Sequence, residues 1–132
     1  MMKNKQWFLC MVIATFGLFH VSSASDEEVV TVYADKFWGT RTSTVYSAGD
    51  YLITKPSGYW GSGGFASGPE GIWAGPHFNC MIGYWEPWLA LMGKFGDSGL
   101  LFSAGETSID GYGYWSVQNG GPLYLMINDC PG

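Results

Sequence analysis

Basic residues are few in this chain. Six Lys and Arg stand against eleven Asp and Glu over 132 residues, a formal net charge of −5. A surface so short of cations repels nucleic acid and anionic membranes. Aromatic rings without a basic groove make a poor base-stacking platform. Histidine is also rare, with two in the chain. A Ser-His-Asp hydrolase would have to use His77, and no Gly-x-Ser-x-Gly elbow is present. One histidine and two cysteines beyond the N-terminal segment cannot make a zinc site by themselves. Long helical periodicity is missing too, because Gly and Pro recur too often, and there is no internal repeat.

The N-terminal segment has the composition of a secretory leader. Lys3 and Lys5 give a basic start, Trp7 to Phe19 is apolar, and Ser22-Ser23-Ala24 supplies small residues before the acidic Asp26-Glu27-Glu28. The apolar run is short for a membrane span, so residues 1–24 are read as a cleaved signal peptide, with an uncleaved anchor as the alternative. Such a leader contributes nothing to the mature fold and places the protein outside the cytoplasm, secreted or periplasmic. Cys10 lies within it and lacks the small residue before it that lipid attachment needs. Residues 25–132 then form one domain of 108 residues. Losing Lys3 and Lys5 but no acid takes the charge from −5 to −7. Cys80 and Cys130 remain, and an even count in a small secreted domain favours a disulfide over two buried free thiols. Its closed loop would stabilise by about 4 kcal/mol in the chain-entropy model.

What is abundant is β-forming sequence broken by turns. The expected strands are Val29–Ala34, Ser43–Tyr46, Tyr51–Lys55, Trp88–Phe95, Leu100–Ser103, Tyr112–Val117 and Leu123–Asn128. Trp88–Phe95 and Leu123–Ile127 are nearly continuous in apolar residues, which predicts strands covered on both faces and central in their sheet. The pattern predicts an all-β fold, a small antiparallel β-sandwich of jelly-roll-like type in a single domain. Residues 56–87 carry no clear strand pattern, and a loop this long in so small a domain is usually functional or a misread element.

Three features could carry chemistry. Glu70 and Glu86 could pair as a glycosidase dyad, although two solvated loop acids are the simpler reading. Eight aromatics (Tyr59, Trp60, Phe65, Trp73, Phe78, Tyr84, Trp85 and Trp88) crowd one stretch. Sugar rings pack their C–H faces on such rings while directional polar groups take the hydroxyls. Any one of them is equally at home in a core. Asp129 follows an apolar strand, beside Asn128 and before Pro-Gly. That setting suits either a calcium ligand or a plain turn.

Taken in order, several segments resemble the PA-IL-type galactophilic lectins of bacteria. They are Tyr46-Ser-Ala-Gly-Asp-Tyr-Leu-Ile-Thr54, Ser57-Gly58-Tyr59-Trp60, Gly68-Pro69-Glu70-Gly71, Leu91-Met-Gly-Lys-Phe-Gly-Asp-Ser-Gly99, and Leu123 to Gly132 ending in Asn-Asp-Cys-Pro-Gly. About ninety residues are covered. The resemblance implies a non-catalytic β-sandwich that binds galactose-containing glycans through calcium, two vicinal sugar hydroxyls completing the metal's shell. By position, Asp129 would be a calcium ligand that also touches sugar, and a backbone carbonyl of Ser62 or Gly63 a second ligand. His77 and Asn79 would contact sugar. In the family the chain continues past the Pro-Gly turn into further ligands and a last strand. The resemblance therefore implies an incomplete calcium site for a chain ending at Gly132. Cys130 stands where the family has valine; bridged to Cys80, it would tie the aromatic loop to the Asp129 turn.

The expected function is thus a secreted galactose-type lectin with no nucleic-acid partner and no membrane insertion after leader cleavage; a homo-oligomer is compatible with it. The alternatives are a metal-independent aromatic-stacking carbohydrate-binding module or remnant of a glycoside-active enzyme, and a secreted protein-interaction domain.

Overall fold

The computed structural model describes residues 6–13, 27–36, 38–62, 64–73, 81–83 and 85–130. It is all-β, with no helix among the described residues. The strands are β1 (Gln6–Ile13), β2 (Glu27–Thr31), β3 (Thr40–Tyr46), β4 (Tyr51–Gly58), β5 (Trp60–Ser62), β6 (Phe65–Ser67), β7 (Leu91–Phe95), β8 (Phe102–Ser103), β9 (Gly113–Ser116) and β10 (Gly121–Ile127). One sheet runs β2-β1-β4-β9 and the other β3-β10-β7-β8, with β5 and β6 a separate hairpin. Val30, Val32, Leu52 and Val117 from the first side meet Tyr46, Leu91, Phe95, Leu123, Leu125 and Ile127 from the second in one core. This is the small β-sandwich that the alternating and continuous apolar runs predict.

All seven expected strands are present, with ends shifted by a few residues. The two continuous apolar runs are the two interior strands of their sheet. β10 pairs antiparallel with β7, Leu123 opposite Phe95 and Ile127 opposite Leu91. On its other side β10 pairs with β3 through an irregularity between Pro122 and Tyr124. The shift leaves the Leu123 N–H without a backbone partner there, and the buried Thr42 hydroxyl accepts it at 3.0 Å while donating to the Thr44 carbonyl. Buried backbone donors are paired almost without exception, which explains a buried threonine on an apolar face.

Two departures from the sequence reading stand out. Residues 56–87 are not one irregular loop, because β5 and β6 pair within it, Trp60 opposite Ser67 and Ser62 opposite Phe65. Second, Gln6–Ile13 lies in the segment expected to stay outside the fold, yet it occupies the middle of the first sheet. It runs parallel to β2 and to β4, whereas every other pairing of named strands is antiparallel. The run is proline-free and β-prone, so its backbone can pair on both sides at once, with β2 and with β4.

The seam between the sheets is held by a side chain. The Glu28 carboxylate on β2 accepts hydrogen bonds from Ser43 N–H at 2.6 Å, Ser43 hydroxyl at 3.0 Å and Thr44 N–H at 3.1 Å on β3. Partial burial raises its pKa, but the hydrogen bonds from Ser43 and Thr44 together outweigh this and hold the carboxyl below the usual 4.5. A carboxyl with a lowered folded-state pKa stabilises fully above its unfolded value and loses that stabilisation as pH falls through the lowered one. Glu28→Gln is therefore expected to lose less thermal stability than the parent between about pH 5 and pH 3. Thermal melts across that range check this; parallel acid limbs would contradict it.

Candidate functional site

The polar end of β10 builds a corner of the sandwich. Asn128 is fully buried. Its Oδ1 accepts from Gly83 N–H at 2.9 Å. Its Nδ2 donates to the carbonyls of Gly83 at 2.9 Å, Pro87 at 3.0 Å and Glu86 at 3.3 Å. Its backbone continues the pairing, with Asn128 N–H donating to Ala90 O and Leu89 N–H to Asn128 O. One amide thus closes the turn that leads into β7. In the sequence it reads as half of a polar tip; in the fold it is a core residue.

The turn ends in strain. Leu89 has φ of 62°, a left-handed conformation rare outside glycine, yet it is buried. The Leu89 carbonyl accepts Trp60 Nε1–H at 2.8 Å, so Trp60 is a core ring tied to this turn and not a platform for a ligand. Gly71 lies against the same turn. A Cβ there would come within 2.7 Å of Ala90 N, and its φ is 79°. Glycine lets 68–72 close over 88–90, where Ile72 N–H donates to Trp88 O at 2.7 Å.

Asp129 follows directly and is half-buried. Its Oδ1 accepts from Trp88 Nε1–H at 3.0 Å and from Cys130 N–H at 2.8 Å. Its Oδ2 makes no hydrogen bond among the described residues. Phe65 packs edge-on against Trp88 with ring centroids 5.3 Å apart. The hairpin carrying Ser62 and the Asp129 turn therefore flank one buried indole. Among the described residues no group of three His, Cys, Asp or Glu gathers for a metal ion. Gly63, His77, Asn79 and Cys80 lie outside the described residues. Cys130 packs against the core; its pairing with Cys80 in a disulfide is a proposal.

The aromatic segment divides in two. Trp60 and Trp88 are buried with their N–H groups bonded to protein. Tyr59, Phe65, Trp73 and Trp85 are exposed, Trp73 to 64% and Trp85 to 84%. The acids sort differently from a Glu70–Glu86 dyad. Burial pushes the Glu86 carboxyl up, and the repulsion added to it comes from Glu106, not Glu70. The Glu70 carboxylate instead lies over Gly68.

A concavity of about 130 Å³ is lined by Phe95, Leu101, Phe102, Trp115, Gln118 and Asn119 among others. It sits beyond Phe95 and Leu123, at the opposite end of the β7–β10 pair from Asp129. Phe102 stacks on Phe95 at 5.4 Å and tilts against Trp115 at 4.7 Å. Its walls come from two stretches, residues 95–102 and 115–119.

Replacing Asn128 by Asp keeps its shape but points an anion at three carbonyls. A buried charge without a partner costs about 3–5 kcal/mol. Urea unfolding of Asn128→Asp at neutral pH is expected to show a loss of that order; a loss under about 1 kcal/mol would mean the corner does not depend on the amide.

No protein-family model, no curated protein and no solved structure matches this chain.

Proposed function

We propose that the chain is a secreted, non-catalytic carbohydrate-binding protein, a galactose-type lectin whose sugar site centres on Asp129. The observation that carries the reading is the state of that carboxylate. One oxygen is fixed by Trp88 Nε1–H and Cys130 N–H, and the other makes no hydrogen bond among the described residues. Ligating carboxylates are typically oriented in this way by donors behind them. The ordered resemblance to the PA-IL-type lectins points to the same residue.

The donors fit calcium in kind, since the ion takes oxygen from carboxylates and backbone carbonyls. Asp129 would hold it through Oδ2, and the carbonyl of Ser62 or Gly63 through the hairpin turn beside Trp88. Calcium needs six to eight oxygens, so further ligands must come from beyond the described residues or from sugar and water. When bound, the ion supplies a Lewis-acidic centre for two vicinal sugar hydroxyls. Asp129 would accept a hydrogen bond from one of them, and His77 and Asn79 would add directional contacts. Trp88 positions the carboxylate, and the proposed Cys80–Cys130 bridge ties the segment bearing His77 and Asn79 to the Asp129 turn.

A second reading rests on the exposed Trp73 and Trp85. Both lie close in sequence to the Trp88 corner and offer flat faces for stacking without a metal. A glycan array run with and without EDTA, using the parent, Asp129→Asn, Trp88→Phe and Trp73→Ala, separates the two. The lectin reading predicts binding to galactose-terminated glycans that chelation and Asp129→Asn abolish. It also predicts that Trp88→Phe weakens binding by about 10- to 100-fold, as loss of a second-shell donor does. Binding indifferent to EDTA and to Asp129→Asn but lost in Trp73→Ala would transfer the site to the stacking surface. No binding to any glycan would end both readings.

A further inference from the structure

We infer that the concavity beside Phe102 and Trp115 is a small-molecule site that takes a neutral, single-ring aromatic compound. The inference is independent of the sugar site, because the concavity lies at the opposite end of the β7–β10 pair from Asp129. It opens where the two sheets meet at their last strands, β8 in one and β9 in the other. Between their first strands, β3 and β2, the Glu28 carboxylate closes the seam by accepting from Ser43 and Thr44. No hydrogen bond joins β8 to β9 among the described residues. The contact there is ring against ring, Phe102 with Trp115 at 4.7 Å and Phe95 stacked on Phe102 at 5.4 Å. Gly99 lies so close to Phe95 that a Cβ would strike its carbonyl oxygen. The turn thus brings Leu100 and Leu101 back to the hollow, where both are exposed.

The lining sets the ligand's class. Phe95, Leu101, Phe102 and Trp115 form the apolar walls, and no Asp, Glu, Lys, Arg or His lines the hollow. An ion entering it would lose water without gaining a partner, so the ligand is neutral. The Trp115 N–H is already given to Thr54 Oγ1 at 3.0 Å, so Trp115 offers ring carbon and no donor. Such walls favour another aromatic ring, stacked or edge-on. Polar groups come from one stretch alone. The side chains of Ser116, Gln118 and Asn119 line the rim and make no hydrogen bond among the described residues. They can pair with one hydroxyl or amide of a ligand. A monosaccharide does not suit the hollow, since its hydroxyls point all round and most would face apolar wall. Nor does a run of polypeptide, which would bring its own backbone N–H and C=O groups. The volume of about 130 Å³ is close to that of an apolar cavity, roughly 150 Å³, that takes one benzene. The occupant is therefore a benzene-sized ring with one hydrogen-bonding substituent, of which phenol is the simplest.

The test titrates phenol into the isotope-labelled full chain and follows it by proton–nitrogen NMR. Saturable one-to-one shifts are expected at Trp115 Nε1–H and at the Phe102 and Gln118 amides, with Trp88 Nε1–H unmoved. Benzoate, the same ring with a charge, is expected to bind at least about tenfold more weakly. Galactose is expected to leave these signals in place. Leu101→Trp, at the exposed mouth, is expected to fill the hollow and weaken phenol binding at least about tenfold. EDTA and Asp129→Asn are expected to leave phenol affinity unchanged, so a failure of the sugar reading and a failure of this one are read separately. No saturable shift by about 10 mM phenol would overturn the proposal. So would benzoate binding as tightly as phenol, galactose moving the same signals, or a folded Leu101→Trp that binds phenol as the parent does. If Leu101→Trp does not fold, Leu100→Trp at the more exposed neighbour takes its place with the same expectation.

Discussion

The buried Asn128 amide is the interaction on which this corner of the molecule depends. Its four side-chain hydrogen bonds hold Gly83, Glu86 and Pro87 against the end of β10. That closure forces the chain through the left-handed turn at Leu89. A left-handed residue with a Cβ costs about 1–2 kcal/mol. Burying a leucine returns about 1.5–3 kcal/mol, and the bonds from Trp60 Nε1 and to Asn128 O use the turn's polar groups. The strained turn therefore persists, and it sets Trp88 where its indole N–H meets Asp129. A core requirement and a surface carboxylate are thus linked across two adjacent residues of one strand end.

The two sheets are built differently. In β3-β10-β7-β8 the interior strands are apolar on both faces, and antiparallel pairing makes each strand's partner a matter of sequence complementarity. The first sheet depends on what lies between β2 and β4. Its outer strand β2 meets the other sheet through the buried Val30 and through the Glu28 carboxylate, and not by backbone pairing. The polar corner lies at the end of β10, and the groups that orient Asp129, Trp88 Nε1–H and Cys130 N–H, belong to no strand of the first sheet.

Much of the fold was legible because burial leaves a pattern. The continuous apolar runs of β7 and β10 identified them as interior strands, and the turn clusters bounded the remainder. The β5–β6 hairpin escaped because its strands are three residues each, too short for alternation to register. Trp60 and Trp73 are the same residue type in the same glycine-rich stretch, and only tertiary contacts make one a core ring and the other a surface one. Asn128 escaped for a related reason: an asparagine before Asp-Cys-Pro-Gly reads as turn chemistry, and nothing local reveals three carbonyls converging on it from residues more than forty positions away. Glu28 is equally silent, since its partners lie fifteen and sixteen residues on. Asp129 was legible as a candidate, but its orientation by Trp88 was not.

Native-state hydrogen exchange at the Gly83 and Leu89 amides tests the central claim most directly. Both N–H groups are bonded to Asn128, one to its side chain and one to its backbone. If the buried amide holds the corner as one cooperative unit with β10, both amides exchange only on global unfolding, with the same opening free energy as Leu125 in mid-strand. Exchange of Gly83 at the rate of an exposed turn amide, while Leu125 stays protected, would show that the corner opens independently and that Asn128 does not set the position of Asp129.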